Sequence, residues 1–177
     1  IYNDSDWVCP AEYPDLSKAT EIAIDLETKD PNIKTKGPGW ATFDGHIVGF
    51  AVAALGQQWY FPIAHDAGGN MDLSITCAFM QDILKTDATK IFHNASYDVG
   101  WLLVNGFEIR GKIVDTMVAA AIINENRFSF SLNACAKDYL GEIKNETFLN
   151  EKAKEWGIDP KADMWKLPAG YVGFYAE

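Results

Sequence analysis

Cysteine is scarce in this chain. Cys9, Cys77 and Cys135 are the three in 177 residues, far apart and odd in number. No pair has the spacing of a structural zinc site, and three isolated thiols do not make a disulfide framework. They read as free thiols in a reducing compartment, so a cytoplasmic setting is expected. Positive charge is also in short supply: 15 lysines and arginines stand against 25 acids, a formal charge of −10. A protein whose main task is to coat nucleic acid needs a basic surface, and this balance is unusual for that class. An anionic substrate stays possible if metal ions meet the phosphates. No apolar run reaches about 18 residues, so no membrane-spanning helix is expected. There are no repeats or low-complexity tracts, and a single monomeric domain is the default. The G-P-G at 37–39 lacks the strand–turn–helix setting of a phosphate loop and implies no nucleotide cofactor.

Apolar residues make up 48% of the chain and aromatics 13%, enough to build a core. Residues 1–20 carry Trp7, Pro10 and Pro14 without periodicity and form a lead-in segment packed on the domain. Residues 21–26 read as a first strand, and 29–45 as a loop punctuated by proline and glycine. Residues 46–54 and 58–63 pair as a hairpin turning near Gly56 and Gln57. Leu73, Cys77, Met80 and Leu84 have helical spacing over 72–85, with Asp72 as N-cap. A short strand at 90–92 leads into a helix over 94–106, with Asn94 as N-cap and Val99, Leu102 and Leu103 on one side. A strand at 112–114 leads into an apolar helix over 115–123 with Asp115 as N-cap. A helix over 131–140 closes at Gly141. Residues 142–166 are mixed and polar, anchored by Trp156 and Trp165. A last helix begins near Pro168. The order predicts an α/β domain with a mixed central sheet flanked by helices.

The first strand ends in two acids, I-A-I-D-L-E-T over 22–28. Side chains two apart on a strand share a face, so Asp25 and Glu27 point together, opposite Ile22, Ile24 and Leu26. Two carboxylates so close repel unless a cation lies between them, and their hard oxygens suit Mg²⁺ or Mn²⁺. Alone, this is as well explained by a solvated strand end. A second segment, I-F-H-N-A-S-Y-D-V-G, passes from strand to helix and sets Asn94 and Asp98 on one helix face. In open α/β sheets such strand-to-helix junctions are where ligands bind. A helix-dipole role for Asp98 is the plainer alternative.

D-L-E-T (25–28), N-A-S-Y-D (94–98), V-D-T-M (114–117) and S-L-N-A-C-A-K-D-Y-L-G (131–141) occur in the order found in DEDD-superfamily 3′–5′ exonucleases. Over residues 20–177 the sequence resembles the proofreading domain of family A, polymerase I-like DNA polymerases. The loop P-N-I-K-T-K-G-P-G-W-A resembles bacteriophage versions, which implies a host-cytoplasm location. The resemblance implies a ribonuclease H-like three-layer fold and two divalent metal ions, Mg²⁺ or Mn²⁺. Asp25 would bridge both ions. Glu27 would bind the first and orient the attacking water, and Asp98 would act on the second. Tyr175 would position the water. Thr28, Asn94 and Tyr97 would line the substrate cleft with His93 beside them, and Phe148 would stack on terminal bases. Asp115 would be structural. The implied partners are a DNA 3′ end and a downstream polymerase domain. The family's third motif is Tyr-x-x-x-Asp. Tyr175-Ala-Glu fits its opening, and the Asp would fall two residues past Glu177. The expectation is a domain over 21–177 whose last helix is cut short and whose activity is weakened.

Two alternatives accompany this reading: an RNA-processing, ribonuclease D-like exonuclease, and a catalytically silent domain that binds DNA ends. A phosphatase with an Asp nucleophile fits poorly, because D-L-E-T departs from Asp-x-Asp-x-Thr at two positions.

Overall fold

The computed structural model describes residues 5–142 and 146–177. Residues 1–4 of the lead-in and 143–145 of the mixed segment lie outside these. Strand β1 (Glu21–Lys29) is central and runs three residues beyond the expected 21–26. Its alternation works as the sequence implies: Ile22, Ile24 and Leu26 are buried, while Ala23, Asp25 and Glu27 take the other face. β2 (His46–Ala54) and β3 (Gln57–Pro62) form the hairpin. Leu55 (φ 53°) and Gly56 (φ 73°) both take left-handed backbone in its turn, the geometry that matches strand twist in two-residue hairpins.

β4 (Thr89–Phe92) and β5 (Ile113–Asp115) complete a sheet of order β3-β2-β1-β4-β5. β1–β2 and β2–β3 are antiparallel, whereas β1–β4 and β4–β5 are parallel. The mixed sheet follows from the chain order, because a hairpin gives antiparallel neighbours and strand–helix crossovers give parallel ones.

Helices cover both faces. On one, Ile22, Ile24, Leu26, Phe50 and Val52 pack with Met80 and Leu84 of α3 (Leu73–Leu84) and with Trp101 and Leu102 of α4 (Ala95–Val104). On the other, Ala51 and Tyr60 pack with Leu149 of α7 (Thr147–Trp156), Tyr171 and Val172 of α8 (Ala169–Ala176), Met164 and the lead-in's Trp7. Truncating a fully buried side chain such as Leu102 costs about 2–5 kcal/mol in such cores.

Several expectations need correction. The loop 29–45 contains two single-turn helices, α1 (Ile33–Lys36) and α2 (Gly39–Thr42); four residues carry too little periodicity to register. The mixed segment contains α7, whose Leu149 and Ala153 are buried against α8. Trp156 is largely exposed rather than an anchor, and Leu103 faces solvent while Trp101 takes the core position. α5 (Thr116–Ile123) buries only Ala120 and leaves Ile122 and Ile123 exposed. The caps at Asp72 and at Ser131 and Gly141, flanking α6 (Leu132–Leu140), form as expected. Among the described residues no helix is long and apolar enough to cross a membrane.

Candidate active site

β4 pairs with β1 only as far as Ala23 and Ile91. Beyond that point the chain turns at Asn94, whose backbone is left-handed (φ 70°), and enters α4. One turn in, Asp98 takes the place a neighbouring strand would hold. Its Oδ1 accepts a hydrogen bond from the backbone N–H of Leu26 at 3.1 Å. Leu26 is the residue between Asp25 and Glu27, so the three acids gather at one end of one strand. Asp98 is 3% exposed. Burial, and next the charge of Asp25, push its carboxyl up to about 8.

The turn into α4 is held from 21 residues away. The Asp115 carboxylate accepts from Asn94 N (3.1 Å) and Ala95 N (2.8 Å), and also from Met117 N (2.9 Å) and Val118 N (3.3 Å) at the start of α5. Burial works against its charge, yet those four amides hold its carboxyl below the usual range. Asn94, expected to be the cap, makes no capping bond with its own side chain. Its Oδ1 instead accepts from the Ser96 hydroxyl at 3.3 Å, and the acid on β5 supplies the acceptor for the helix-start amides.

The remaining candidates are distributed around this end. Tyr97 Oη donates to Asp30 Oδ2 at 2.9 Å, so its 2.8 Å contact with Thr28 is donated by the threonine. Asp30 Oδ2 also accepts from Gly39 N at 2.9 Å. Thr28 and Tyr97 thus link the end of β1 to α2, and burial pushes the Tyr97 phenol up to about 12. His93 lies between Thr116 Oγ1 (2.9 Å from Nδ1) and the Phe130 carbonyl (2.8 Å from Nε2), so both ring nitrogens are engaged inside the protein. Asn94 is exposed. Phe148 is half-buried on α7, edge-on to Tyr171 at 5.8 Å between ring centres. Tyr175 on α8 is within reach of the acids: burial, then the charges of Glu27, Glu146 and Asp25, raise its phenol. Asp25, His93, Thr116, Asn133 and Tyr175 line a cleft of about 690 Å³, within the range of small-ligand sites.

Three features of this end escaped the sequence reading. Gly49 is the β2 partner of Glu27, and a Cβ there would collide with the Tyr60 ring. Tyr60 is fully buried, and its hydroxyl meets His65 Nε2 at 2.7 Å. A glycine inside a strand was the available signal, since it marks close approach of another group. Glu177, which follows α8, turns to the edge of the sheet. Its Oε1 accepts from the Trp7 indole (2.9 Å) and from Tyr60 N (3.2 Å).

Among the described residues, no three His, Cys, Asp or Glu side chains stand close enough together to hold a metal ion in this arrangement. The donors fit in kind. Asp25, Glu27 and Asp98 offer hard carboxylate oxygens, and the raised carboxyl of Asp98 beside Asp25 is an electrostatic cost that a cation would relieve.

The sequence matches the 3′–5′ exonuclease family over residues 13–171. The chain belongs to that family. It is a DEDD-type exonuclease domain of the kind found in family A DNA polymerases. Two phage relatives are similar to it. A DNA-directed DNA polymerase of Pseudomonas phage M6 is 36% identical over 180 residues, covering 98% of this chain and 27% of the polymerase. DNA polymerase DpoZ of Salmonella phage PMBT28 is 28% identical over 149 residues, covering 83% and 21%. The exonuclease chain therefore spans about a quarter of the length of the phage polymerases it matches.

Solved structures share the fold. Brucella melitensis NrnC with bound Mg²⁺ superposes with a TM-score of 0.54 at 18% identity, over 75% of this chain and 59% of that one. The Pol1 polymerase domain of M. smegmatis, in complex with DNA primer-template and dNTP, gives 0.54 at 18% identity, over 73% and 20%. Escherichia coli RNase D gives 0.53 at 17% identity, over 85% and 37%. At these identities the likeness is one of fold: the ribonuclease H-like architecture of DEDD exonucleases.

Proposed function

We propose that this chain removes nucleotides from the 3′ end of a DNA strand by hydrolysing the terminal phosphodiester, serving as the proofreading unit beside a polymerase domain. The observation that carries the reading is the seating of Asp98 on the peptide N–H between Asp25 and Glu27. It brings three acids from two distant stretches of chain to one strand end, beside a cleft.

Asp25, Glu27 and Asp98 would hold two divalent ions, Mg²⁺ or Mn²⁺. When bound, such ions offset phosphate charge and make hydroxide available near neutral pH. The chain supplies the rest. The Leu26 N–H fixes the orientation of Asp98. Tyr175, its phenol raised, stays protonated and acts as a hydrogen-bond donor that orients a water. Asp115 fixes the start of α4 and so the reach of Asp98. Asn94, exposed at the turn, and Phe148, on the second face, would meet the sugar–phosphate chain and a terminal base. His93 lines the cleft, and Thr28 and Tyr97 hold the end of β1 beside it through the bonds they make within the protein. A mismatched terminal base leaves its stack at lower cost, by a few kcal/mol, which favours removal of errors without reading sequence.

A second reading, an exonuclease acting on RNA, draws on the fold shared with RNase D. Digestion of 3′-labelled DNA and RNA strands of one sequence, with Mn²⁺, separates the two. The DNA reading expects faster release from DNA, abolished in Asp25→Ala. Preference for RNA would overturn it.

A further inference from the structure

Only 15 basic residues are available against 25 acids, so their placement matters. Lys29 is the last residue of β1, two beyond Glu27. Its ammonium lies 3.8 Å from the centre of the Trp165 ring, and that of Lys166 lies 5.0 Å from the same ring. Two cations therefore share one indole. The ring is fixed in turn: its Nε1 donates to Ala162 O at 3.2 Å, and the Trp165 carbonyl accepts from Asp66 N. An indole with ammonium groups on it is a mount for charge.

Two further lysines extend the cluster. Asp159 is held acidic first by the backbone amides of Ala162 and Lys161, and then by the charges of Lys34 and Lys161. The charge of Lys34, on α1, therefore reaches Asp159. Lys161 also reaches Glu146 at 3.2 Å, and Glu146 bears on Tyr175 at the site. The cluster is thus continuous with the acids. Its acidic neighbours are Asp159, Asp163 and Glu146, and the last two pair with lysines that are 39% and 61% exposed in their side chains. Such exposed pairs contribute little and exchange readily for another anion. Lys18 and Lys112, by contrast, lie near the opposite ends of β1 and β5.

We propose that Lys29, Lys166, Lys161 and Lys34 form a phosphate-binding rim, mounted on Trp165, that seats the backbone of a DNA single strand whose 3′ end lies at Asp25, Glu27 and Asp98. The proposal deepens the exonuclease reading and rests on it for the direction of the strand. The acids repel DNA until cations fill them, so the approach of the strand needs positive charge outside the reaction centre. The rim places it there in a chain that is otherwise acidic.

The test is binding of a 5′-fluorescein oligothymidylate, its last linkages phosphorothioate, at a series of salt concentrations in Mg²⁺. The wild-type chain, Lys29→Gln/Lys166→Gln, Lys29→Arg/Lys166→Arg and Lys18→Gln/Lys112→Gln are compared, each checked by its melting curve. The rim predicts a several-fold loss of affinity in the first double variant. The slope of log affinity against log salt should become shallower by about 0.7 for each phosphate contact removed. Binding should be retained in the arginine pair and in the Lys18/Lys112 pair. Unchanged affinity and slope, or an equal loss in the Lys18/Lys112 pair, would overturn the rim. The exonuclease reading is tested apart, by cleavage lost in Asp25→Ala. A chain that cleaves 3′ ends while Lys29→Gln/Lys166→Gln binds normally loses the rim and keeps the activity. A chain that cleaves nothing while the lysines carry the binding keeps the rim as a single-strand site and loses the activity.

Discussion

Asp98 and Leu26 are 72 positions apart, and the carboxylate of one accepts the peptide N–H of the other at 3.1 Å. That bond extends the edge of β1 where β4 has already left it. It also brings the carboxyl of Asp98 to the segment bearing Asp25 and Glu27, with the Leu26 side chain buried on the opposite face.

The bond has a cost that depends on pH. An unfolded aspartate titrates near 3.9, whereas Asp98 in the fold is raised to about 8. Between those values the folded chain holds a proton that the unfolded chain has lost. The stability this confers is full below about pH 4 and is lost as pH rises through 8, by up to about 5 kcal/mol. In EDTA the melting temperature should fall across that window in the wild type and less in Asp98→Asn. Mg²⁺ should flatten the wild-type profile. Parallel profiles for the two proteins in EDTA would contradict the assignment.

Asp115 caps two helices at once, accepting from Asn94, Ala95, Met117 and Val118. Losing one cap typically costs about 1 kcal/mol, so Asp115→Ala should cost about 2–4 kcal/mol in denaturant unfolding. Because α4 carries Asp98, the variant should also lose activity under conditions where it is fully folded. Asp115→Asn, which keeps two acceptor lone pairs, should fall between the two. A loss no larger than that of a surface substitution would refute the double cap.

Gly49 faces Glu27 across the β1–β2 ladder and lies under the Tyr60 ring. A methyl group there must displace the ring or the strand. Overpacking of this kind costs about 1–3 kcal/mol. Gly49→Ala should therefore lower stability by that amount and weaken Mn²⁺ binding in calorimetry, whereas Gly56→Asn, in an open left-handed turn, should leave Mn²⁺ binding unchanged. Wild-type Mn²⁺ affinity in Gly49→Ala would show that the close approach of Gly49 and Tyr60 does not set the position of Glu27.

Legibility in the sequence followed the range of the interactions. β1 was readable because alternation is local, and α3 and α6 because Asp72, Ser131 and Gly141 mark their ends within a few residues. α7 was not, since its case rests on Leu149 and Ala153 meeting α8. At the site, strand alternation paired Asp25 with Glu27, and helix spacing placed Asp98 after the turn. What failed depended on distant partners. Asn94 looked like a cap because nothing nearby shows that Asp115 does the capping. Nothing near Thr28 or Tyr97 in the sequence shows their partners, and only the fold reveals the bonds that run from Thr28 through Tyr97 to Asp30. Tyr60 and His65 are five positions apart, yet their bearing on Glu27 passes through a register across two strands.

If Asp25, Glu27 and Asp98 form one hydrolytic site for 3′ ends, each must contribute to turnover. That requirement is tested most directly by following nucleoside monophosphate release from a 3′-labelled DNA strand in Mn²⁺, for the wild-type chain, Asp25→Ala and Asp98→Asn. The Asn side chain can still accept the Leu26 N–H, so the fold around it is kept while the charge is removed. Release should proceed from the 3′ end in the wild type and fall in both variants by more than about 100-fold, above the loss expected from merely loosening a metal ligand's support. Equal release by Asp98→Asn and wild type would contradict the account, because the acid bound between the other two would then have no part in the reaction.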